Sequence, residues 1–134
     1  MKQHYKILLI GILAVALLDT IGSIASRQLD FNYSLLSPVS FLIYGTTAFI
    51  ATRRKDLKTG VFFAAILGLF DSTIGWKLSM LLDANTGGFA IEVTTGLWIM
   101  TAVLVIGFSA LVGLLGGALA GIVKKKETNV KDRM

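Results

Sequence analysis

The chain has 134 residues, of which 54% are hydrophobic and 16% are charged. Ordinary soluble domains carry about 25% charged residues, and a domain this short cannot bury so much apolar surface within itself. The composition excludes a disordered chain, a nucleic-acid-binding domain and most soluble globular folds. Cysteine is absent and histidine occurs once, as His4, so thiol chemistry is excluded and neither a metal site nor a cofactor is expected. The surroundings of this chain are therefore expected to be a lipid bilayer.

Four apolar segments predict an all-α integral membrane protein, a four-helix bundle forming one transmembrane domain. A helix needs roughly 20 residues to cross a hydrocarbon core of about 30 Å. The predicted spans cover residues 7–26, 36–52, 60–82 and 96–123. We expect the first to be a retained helix rather than a cleaved signal peptide. Ser37 followed by Pro38 is typical of a helix start at the second span, and residues 124–134 are predicted to form a basic tail.

Basic residues lie almost entirely at one end of the predicted spans. Two in the N-terminal segment, four in the middle loop and five in the tail make eleven of the 13 basic residues. They are Lys2, Lys6, Arg53, Arg54, Lys55, Lys58, Lys124, Lys125, Lys126, Lys131 and Arg133. The positive-inside rule then predicts a multi-pass protein of the plasma (cell inner) membrane with both termini in the cytoplasm. The net charge of +5 is thus interpreted as a topology signal.

The chain is similar to itself at an offset of 52 residues. Leu17–Thr20 lies over Leu69–Ser72, and Lys6 lies over Lys58. Both segments start from the basic end, so one interpretation is a pair of tandem helical hairpins in parallel orientation. The other is a chance resemblance between apolar helices. Two aspartates at matching depth are what chance explains least well.

Asp19 and Asp71 form the centre of the candidate site. At 1.5 Å per residue each lies roughly 17 Å from the basic end of its span, near the middle of the bilayer. A charged side chain at that depth costs on the order of 2.5–3.5 kcal/mol. Thr20 and Ser72 directly follow the aspartates, and Ser23 lies one turn beyond Asp19. These five residues are candidates for transport or ion binding, or they hydrogen-bond across helices and stabilise the bundle.

Lys77 and Glu92 are candidate gate charges at the other end of the third span. Lys77 follows Asp71 by six residues, so the two do not share a helix face. Its side chain either extends to the interface beside Trp76 or pairs with an acidic residue such as Glu92. Tyrosines and tryptophans elsewhere in the chain are typical of interface or bundle aromatics.

A ridge of small residues follows the fourth predicted helix at every fourth position: Ser109, Gly113, Gly117 and Gly121. Such a ridge permits close approach of two helix backbones, which favours helix association in lipid. The partner is either another helix of the same bundle or a second copy of the chain. Because four helices hardly enclose a pore, a transport function would favour a homo-oligomer or a membrane partner subunit.

Three functions are weighed from these features. The first is a transporter or channel component that moves a proton, cation or small polar solute through the midplane aspartates. The second is a non-catalytic membrane scaffold or accessory subunit that assembles through the glycine-rich helix. The third is an intramembrane protease, because Gly68–Asp71 resembles part of the Gly-x-Gly-Asp motif of presenilin-like proteases. Phe70 replaces the second glycine, and no Pro-Ala-Leu motif follows. We therefore expect no catalytic residue. Transport is favoured over the scaffold because it alone explains both aspartates, their matched depth and their small-residue surroundings together.

Overall fold

The computed structural model describes residues 3–88 and 94–131, and within these ranges the chain is helical with no β-strand. Its five α-helices are α1 (Gln3–Gln28), α2 (Ser37–Arg54), α3 (Leu57–Phe70), α4 (Trp76–Leu81) and α5 (Thr95–Lys131). A 3₁₀ turn at Tyr33–Leu36 precedes α2, and a π-helical turn at Asp71–Gly75 joins α3 to α4.

Four helical segments are long and apolar enough to cross a membrane, which confirms the prediction of an all-helical chain with four such segments. They are the first to fourth spans of the molecule: His4–Gln28, Tyr33–Arg54, Leu57–Leu81 and Thr95–Lys131. The third combines α3, the π turn and α4. The fourth continues as helix through most of the predicted basic tail, so residues 124–131 belong to α5.

The second span extends beyond its predicted start at residue 36, because the 3₁₀ turn at Tyr33–Leu36 lengthens it. Such an outward extension was one of two expectations for a predicted segment that is short for a membrane span. Asn32 caps this turn, and its side chain accepts a hydrogen bond from the backbone N–H of Ser34. Ser37 is therefore the first residue of α2 rather than its N-cap, and its hydroxyl donates to the Ser34 carbonyl at 2.7 Å. Pro38 lies in the first turn of α2, where its missing N–H costs no helical hydrogen bond.

The interior of the bundle is small and its apolar surface is large. A buried cluster of five residues forms the core: Val15, Tyr44, Ala48, Ala64 and Leu67. Large aliphatic side chains instead cover the outside of α1 and α5, including Ile10, which is 65% exposed, and Leu115, which is 66% exposed. Such a surface is unfavourable in water but suits hydrocarbon, where the solvent is as apolar as leucine.

Small residues of α5 allow close contact with α2 and α3. Ser109 is fully buried and lies against Gly68 of α3. A β-carbon built on Gly113 would lie 3.3 Å from the Val61 Cα, and one on Gly116 would lie 3.1 Å from the Gly45 Cα. The ridge therefore contacts helices of the same chain.

Gly117 and Gly121, the last two residues of the ridge, differ in burial. Gly117 is buried against the side chains of Thr52 and Leu57, at the junction of α2 and α3. Gly121 is exposed and has open space where a side chain would begin. Ala120, the residue before it, is still buried. Gly121 is therefore not one of the contact residues, in contrast to the predicted ridge.

The basic segments lie together at one end of the bundle, called the basic end here. Arg53 at the end of α2 pairs with Glu127 of α5 through two contacts of 2.9 Å. The Tyr5 ring of α1 lies 6.4 Å from the Phe63 ring of α3, so α1 begins at this end too. Lys2 and Arg133 lie outside the described residues.

Two loops are joined at the opposite end, called the loop end here. The Tyr33 N–H donates to the Asn85 carbonyl at 2.7 Å, and the Asn85 side chain donates to Asp30 at 2.8 Å. Arg27 and Asp83 approach within 3.8 Å. These contacts connect the segment after α1 with the segment after α4.

Candidate functional site

The internal similarity becomes longer when one residue is skipped. Leu17–Asp30 aligns with Leu69–Asp83 once Ser72 is treated as an insertion, and eight of the 14 aligned positions are then identical. Thr20–Gly22 and Thr73–Gly75 share the letters TIG. The earlier pairing of Thr20 with Ser72 is thereby replaced by a pairing of Thr20 with Thr73.

The inserted residue lies within the π-helical turn. A π turn accommodates one extra residue in an otherwise α-helical segment, and such turns are frequent at functional sites. Here the Trp76 N–H donates to the Asp71 carbonyl, five residues back. The indole N–H of Trp98 donates to the Ser72 carbonyl at 3.1 Å, so α5 satisfies a backbone oxygen of the widened turn.

Equivalent positions of the two aligned segments have equivalent local structure at the loop end. Asp30 and Asp83 follow α1 and α4 with positive φ angles of 54° and 53°, a region that aspartate tolerates better than most residues. Ser26 and Ser79 are both buried, and each hydroxyl donates to a carbonyl of its own helix. The structural match therefore covers the last turns of the two aligned segments and the aspartates that follow them.

Asp19 belongs to the first span, and its side chain is fully buried inside the bundle. Its Oδ1 accepts a hydrogen bond of 2.6 Å from the Tyr33 hydroxyl. Its Oδ2 has no hydrogen-bond partner in the described part of the chain. A β-carbon on Gly75 would overlap this oxygen, so Oδ2 lies directly against the backbone of the π turn.

Asp71 approaches the same point from the third span. The Tyr44 hydroxyl donates to its Oδ2, and its Oδ1 lies 3.0 Å from the position of a β-carbon on Gly75. The carboxylates of Asp19 and Asp71 therefore converge at Gly75. Each has a tyrosine donor, and both tyrosines belong to the second span.

A cavity of about 760 Å³ extends from Asp71 towards the loop end. The second span contributes Tyr33, Ser34, Leu36, Ser37 and Ser40 to its walls, and α5 contributes Leu97, Thr101 and Val105. The third span and the loop after it contribute Asp71, Ser72, Trp76, Ser79, Met80, Asp83, Ala84 and Thr86. Among the described residues, the ionisable side chains that line the cavity are the acidic residues Asp71 and Asp83, and none is Lys or Arg.

The remaining candidate transport residues differ in their relation to this cavity. Ser72 lines it. Ser23 is fully buried one turn beyond Asp19, and its Oγ has no hydrogen-bond partner among the described residues. The Thr20 hydroxyl donates to the Ala16 carbonyl of its own helix at 2.7 Å, which leaves it no donor for a ligand.

Only one of the two candidate gate charges, Lys77, lies among the described residues. Lys77 is exposed and lines a separate cavity of about 320 Å³ with Trp76 and Trp98. No salt bridge joins it to another residue within the ranges 3–88 and 94–131. Glu92 lies outside the described residues.

Sequence reasoning missed two residues of the site, Tyr33 and Tyr44. Tyrosines near membrane interfaces are common, so neither carried a distinct signal as a carboxylate donor. Gly75 was expected beside Asp71, because a residue four positions further on shares the same helix face and its small size permits close packing.

Among the described residues, no group of three or more His, Cys, Asp or Glu side chains could hold a metal ion. No family model matches this chain, and no curated protein or solved structure matches it either. The geometry of the site is therefore the basis for assigning a function.

Proposed function

We propose that the chain is a transporter or channel component that moves a proton, a cation or a small polar solute through the site at Asp19 and Asp71. The observation that carries this proposal is the convergence of two carboxylates at Gly75, inside spans that are apolar enough to cross a membrane. Ionisable residues at such depth are rare and commonly mark ion or substrate pathways.

The electrostatics of the pair support this function. Buried carboxylates need a compensating positive charge or a proton, because the low-dielectric interior stabilises a lone charge poorly. Tyr33 and Tyr44 donate hydrogen bonds but carry no positive charge. A bound proton or cation would supply the missing charge, and Asp71 is open to the cavity through which it would arrive.

The proposal also includes an orientation in the membrane and an origin for the internal similarity. The basic end is proposed to face the cytoplasm of the plasma membrane, with the cavity facing outward. The two aligned segments are proposed to descend from tandem hairpins. No observation favours the scaffold alternative, because the small residues of α5 from Ser109 to Gly117 already contact α2 and α3.

Flux through reconstituted protein tests the proposal. In proteoliposomes with an internal pH-sensitive dye and a potassium–valinomycin potential, native protein should carry protons, or a labelled monovalent cation in a parallel assay. The double variant Asp19→Asn and Asp71→Asn should reduce this flux at least tenfold while its helical circular dichroism stays native. Glu127→Gln is the matched control, because it removes an exposed carboxylate at the basic end. Unaltered flux in the double variant would refute the proposal.

A further inference from the structure

We propose that the large cavity binds an organic cation, meaning an ammonium group attached to an apolar body, with Asp71 as its counter-charge. This inference rests on the proposed function and names the class of solute. The cavity volume of about 760 Å³ lies within the 300–1,000 Å³ typical of small-molecule sites.

The walls of the cavity fit an apolar body better than a small hydrated ion. Side chains of Leu36, Met80, Leu97 and Val105 line it. Inorganic cations such as Mg²⁺ and Ca²⁺ require a shell of oxygen ligands, whereas apolar walls favour a hydrocarbon group by removing it from water. The apolar walls and the single carboxylate at the deep end therefore match the two parts of an organic cation.

The charges that line the cavity favour a cation over an anion. Asp71 is partly exposed to the cavity, and the Tyr44 hydroxyl fixes one of its oxygens. Asp83 lies near the loop end, where Arg27 is 3.8 Å away and offsets part of its charge. Asp71 is thus the acidic group whose charge no nearby cation balances among the described residues.

Aromatic rings and hydroxyls supply the remaining contacts. Trp76 and Tyr33 line the same cavity, and aromatic faces attract ammonium groups. Hydroxyls of Ser40 and Ser72 lie along the wall with Asp71 and can accept hydrogen bonds from ammonium N–H groups. An ammonium group at Asp71 would thus meet a carboxylate, hydroxyls and an aromatic face together.

The ammonium group has two possible sources, a free amine in solution or the headgroup of a membrane lipid. Both present the same chemistry to Asp71. Tests with soluble amines in lipid-depleted detergent and in nanodiscs of defined lipid separate the two sources.

Calorimetry on the purified, lipid-depleted protein tests the binding chemistry. The probes are phenethylamine and benzyltrimethylammonium, with 2-phenylethanol as the neutral isostere and phenylacetate as the anionic one. Native protein should bind at least one of the cations tenfold or more tightly than either isostere. Asp71→Asn should remove this preference, and Trp76→Leu should weaken cation binding several-fold. Glu127→Gln, at the basic end, should bind as the native protein does.

Three results would overturn the inference. The first is equal binding of the neutral isostere and the cations, and the second is no binding of either cation at millimolar concentration. The third is undiminished cation binding by a folded Asp71→Asn variant. Competition in nanodiscs assigns the source: weaker amine binding in phosphatidylethanolamine than in an uncharged glycolipid without an ammonium group supports a lipid ammonium, and equal binding supports a free amine.

The flux assay separates this inference from the proposed function. Proton or cation flux that depends on Asp19 and Asp71, without amine binding, would overturn the organic-cation site and leave transport standing. Amine binding that depends on Asp71, without any flux of proton, cation or amine, would overturn the proposed transport function and leave the organic-cation site standing.

Discussion

Gly75 contacts the carboxylate of Asp19 so closely that a β-carbon at position 75 would overlap Oδ2, the oxygen that lacks a hydrogen-bond partner among the described residues. The absence of a side chain at this one position of the π turn therefore allows the first and third spans to approach one another beside the aspartates.

Gly75→Ala should destabilise the protein for this reason. In an open helical position, alanine is more favourable than glycine by roughly 0.5–1 kcal/mol. At Gly75 the added methyl group must displace a buried carboxylate, and overpacking of this kind typically costs about 1–3 kcal/mol. Thermal unfolding in detergent should show a lower Tm for Gly75→Ala. Gly107→Ala is the control, because nothing lies within 4 Å of its added carbon; equal Tm values for the two variants would contradict the described packing.

The contact between Gly116 of α5 and Gly45 of α2 predicts a second sensitive position. A methyl group on Gly116 would meet the Gly45 backbone, which cannot rotate away as a side chain can. Gly116→Ala should therefore lower the free energy of unfolding by about 1–3 kcal/mol, whereas Gly121→Ala should leave it unchanged or slightly higher. Because these contacts lie within one chain, size-exclusion chromatography should show the same oligomeric state for both variants. Loss of an oligomer in Gly116→Ala would indicate that the ridge also contacts a second copy.

The orientation of the chain is testable because it contains no native cysteine. Single cysteines at Thr86, at the loop end, and at Lys55, at the basic end, should differ in their access to a membrane-impermeant maleimide. We expect labelling of Thr86→Cys in intact cells and labelling of Lys55→Cys only after permeabilisation, since basic segments remain in the cytoplasm. Reversed access would show that the cavity opens to the cytoplasm.

Asp56 predicts a defined pH dependence outside the spans. It caps α3, and its carboxylate accepts the Thr59 N–H at 2.7 Å. This backbone hydrogen bond, with smaller contributions from Lys55 and Lys58, lowers the pKa of Asp56 below its ordinary value. A lowered pKa in the folded state means that the charged cap stabilises at pH values above the unfolded pKa and loses this effect as pH falls through the folded pKa.

Asp56→Asn tests that sign. Asparagine also caps helices but does not titrate. The native protein should therefore have the higher Tm at about pH 6, and its advantage should shrink towards about pH 3, since the ordinary pKa of aspartate is about 3.9. All other acidic groups are common to both proteins and cancel in the comparison. An advantage that grows as the pH falls would contradict the assigned hydrogen bond.

The number of spans was predictable, but their ends were less so. The number of spans follows from the number of apolar segments of sufficient length, which the order of residues in the sequence shows directly. The start of the second span depends on Asn32, whose side chain stabilises a 3₁₀ turn that no hydropathy pattern reveals. The fourth span continues as helix into the predicted tail, where Glu127 of α5 pairs with Arg53 of α2. Such contacts between distant segments have no local signal in the sequence.

The site was predictable in its acidic residues but not in their partners. Asp19 and Asp71 stand out because acidic residues are rare within apolar segments long enough to cross a membrane. Tyr33 and Tyr44 became visible as donors only when the second span was placed beside both aspartates. The π turn is an intermediate case, since the repeated TIG letters reveal an inserted residue but not the geometry that accommodates it.

The two tyrosine donors have a mechanical consequence for the aspartates. Tyr33 and Tyr44 belong to one continuous helical segment, the second span, while their acceptors belong to two different spans. A displacement of the second span along its axis would move both hydroxyls at once and change the hydrogen bonding of both carboxylates together. Movement of the second span would thus affect both aspartates together. This span contributes no carboxylate to the site, but its two tyrosine hydrogen bonds connect it to the first and the third span.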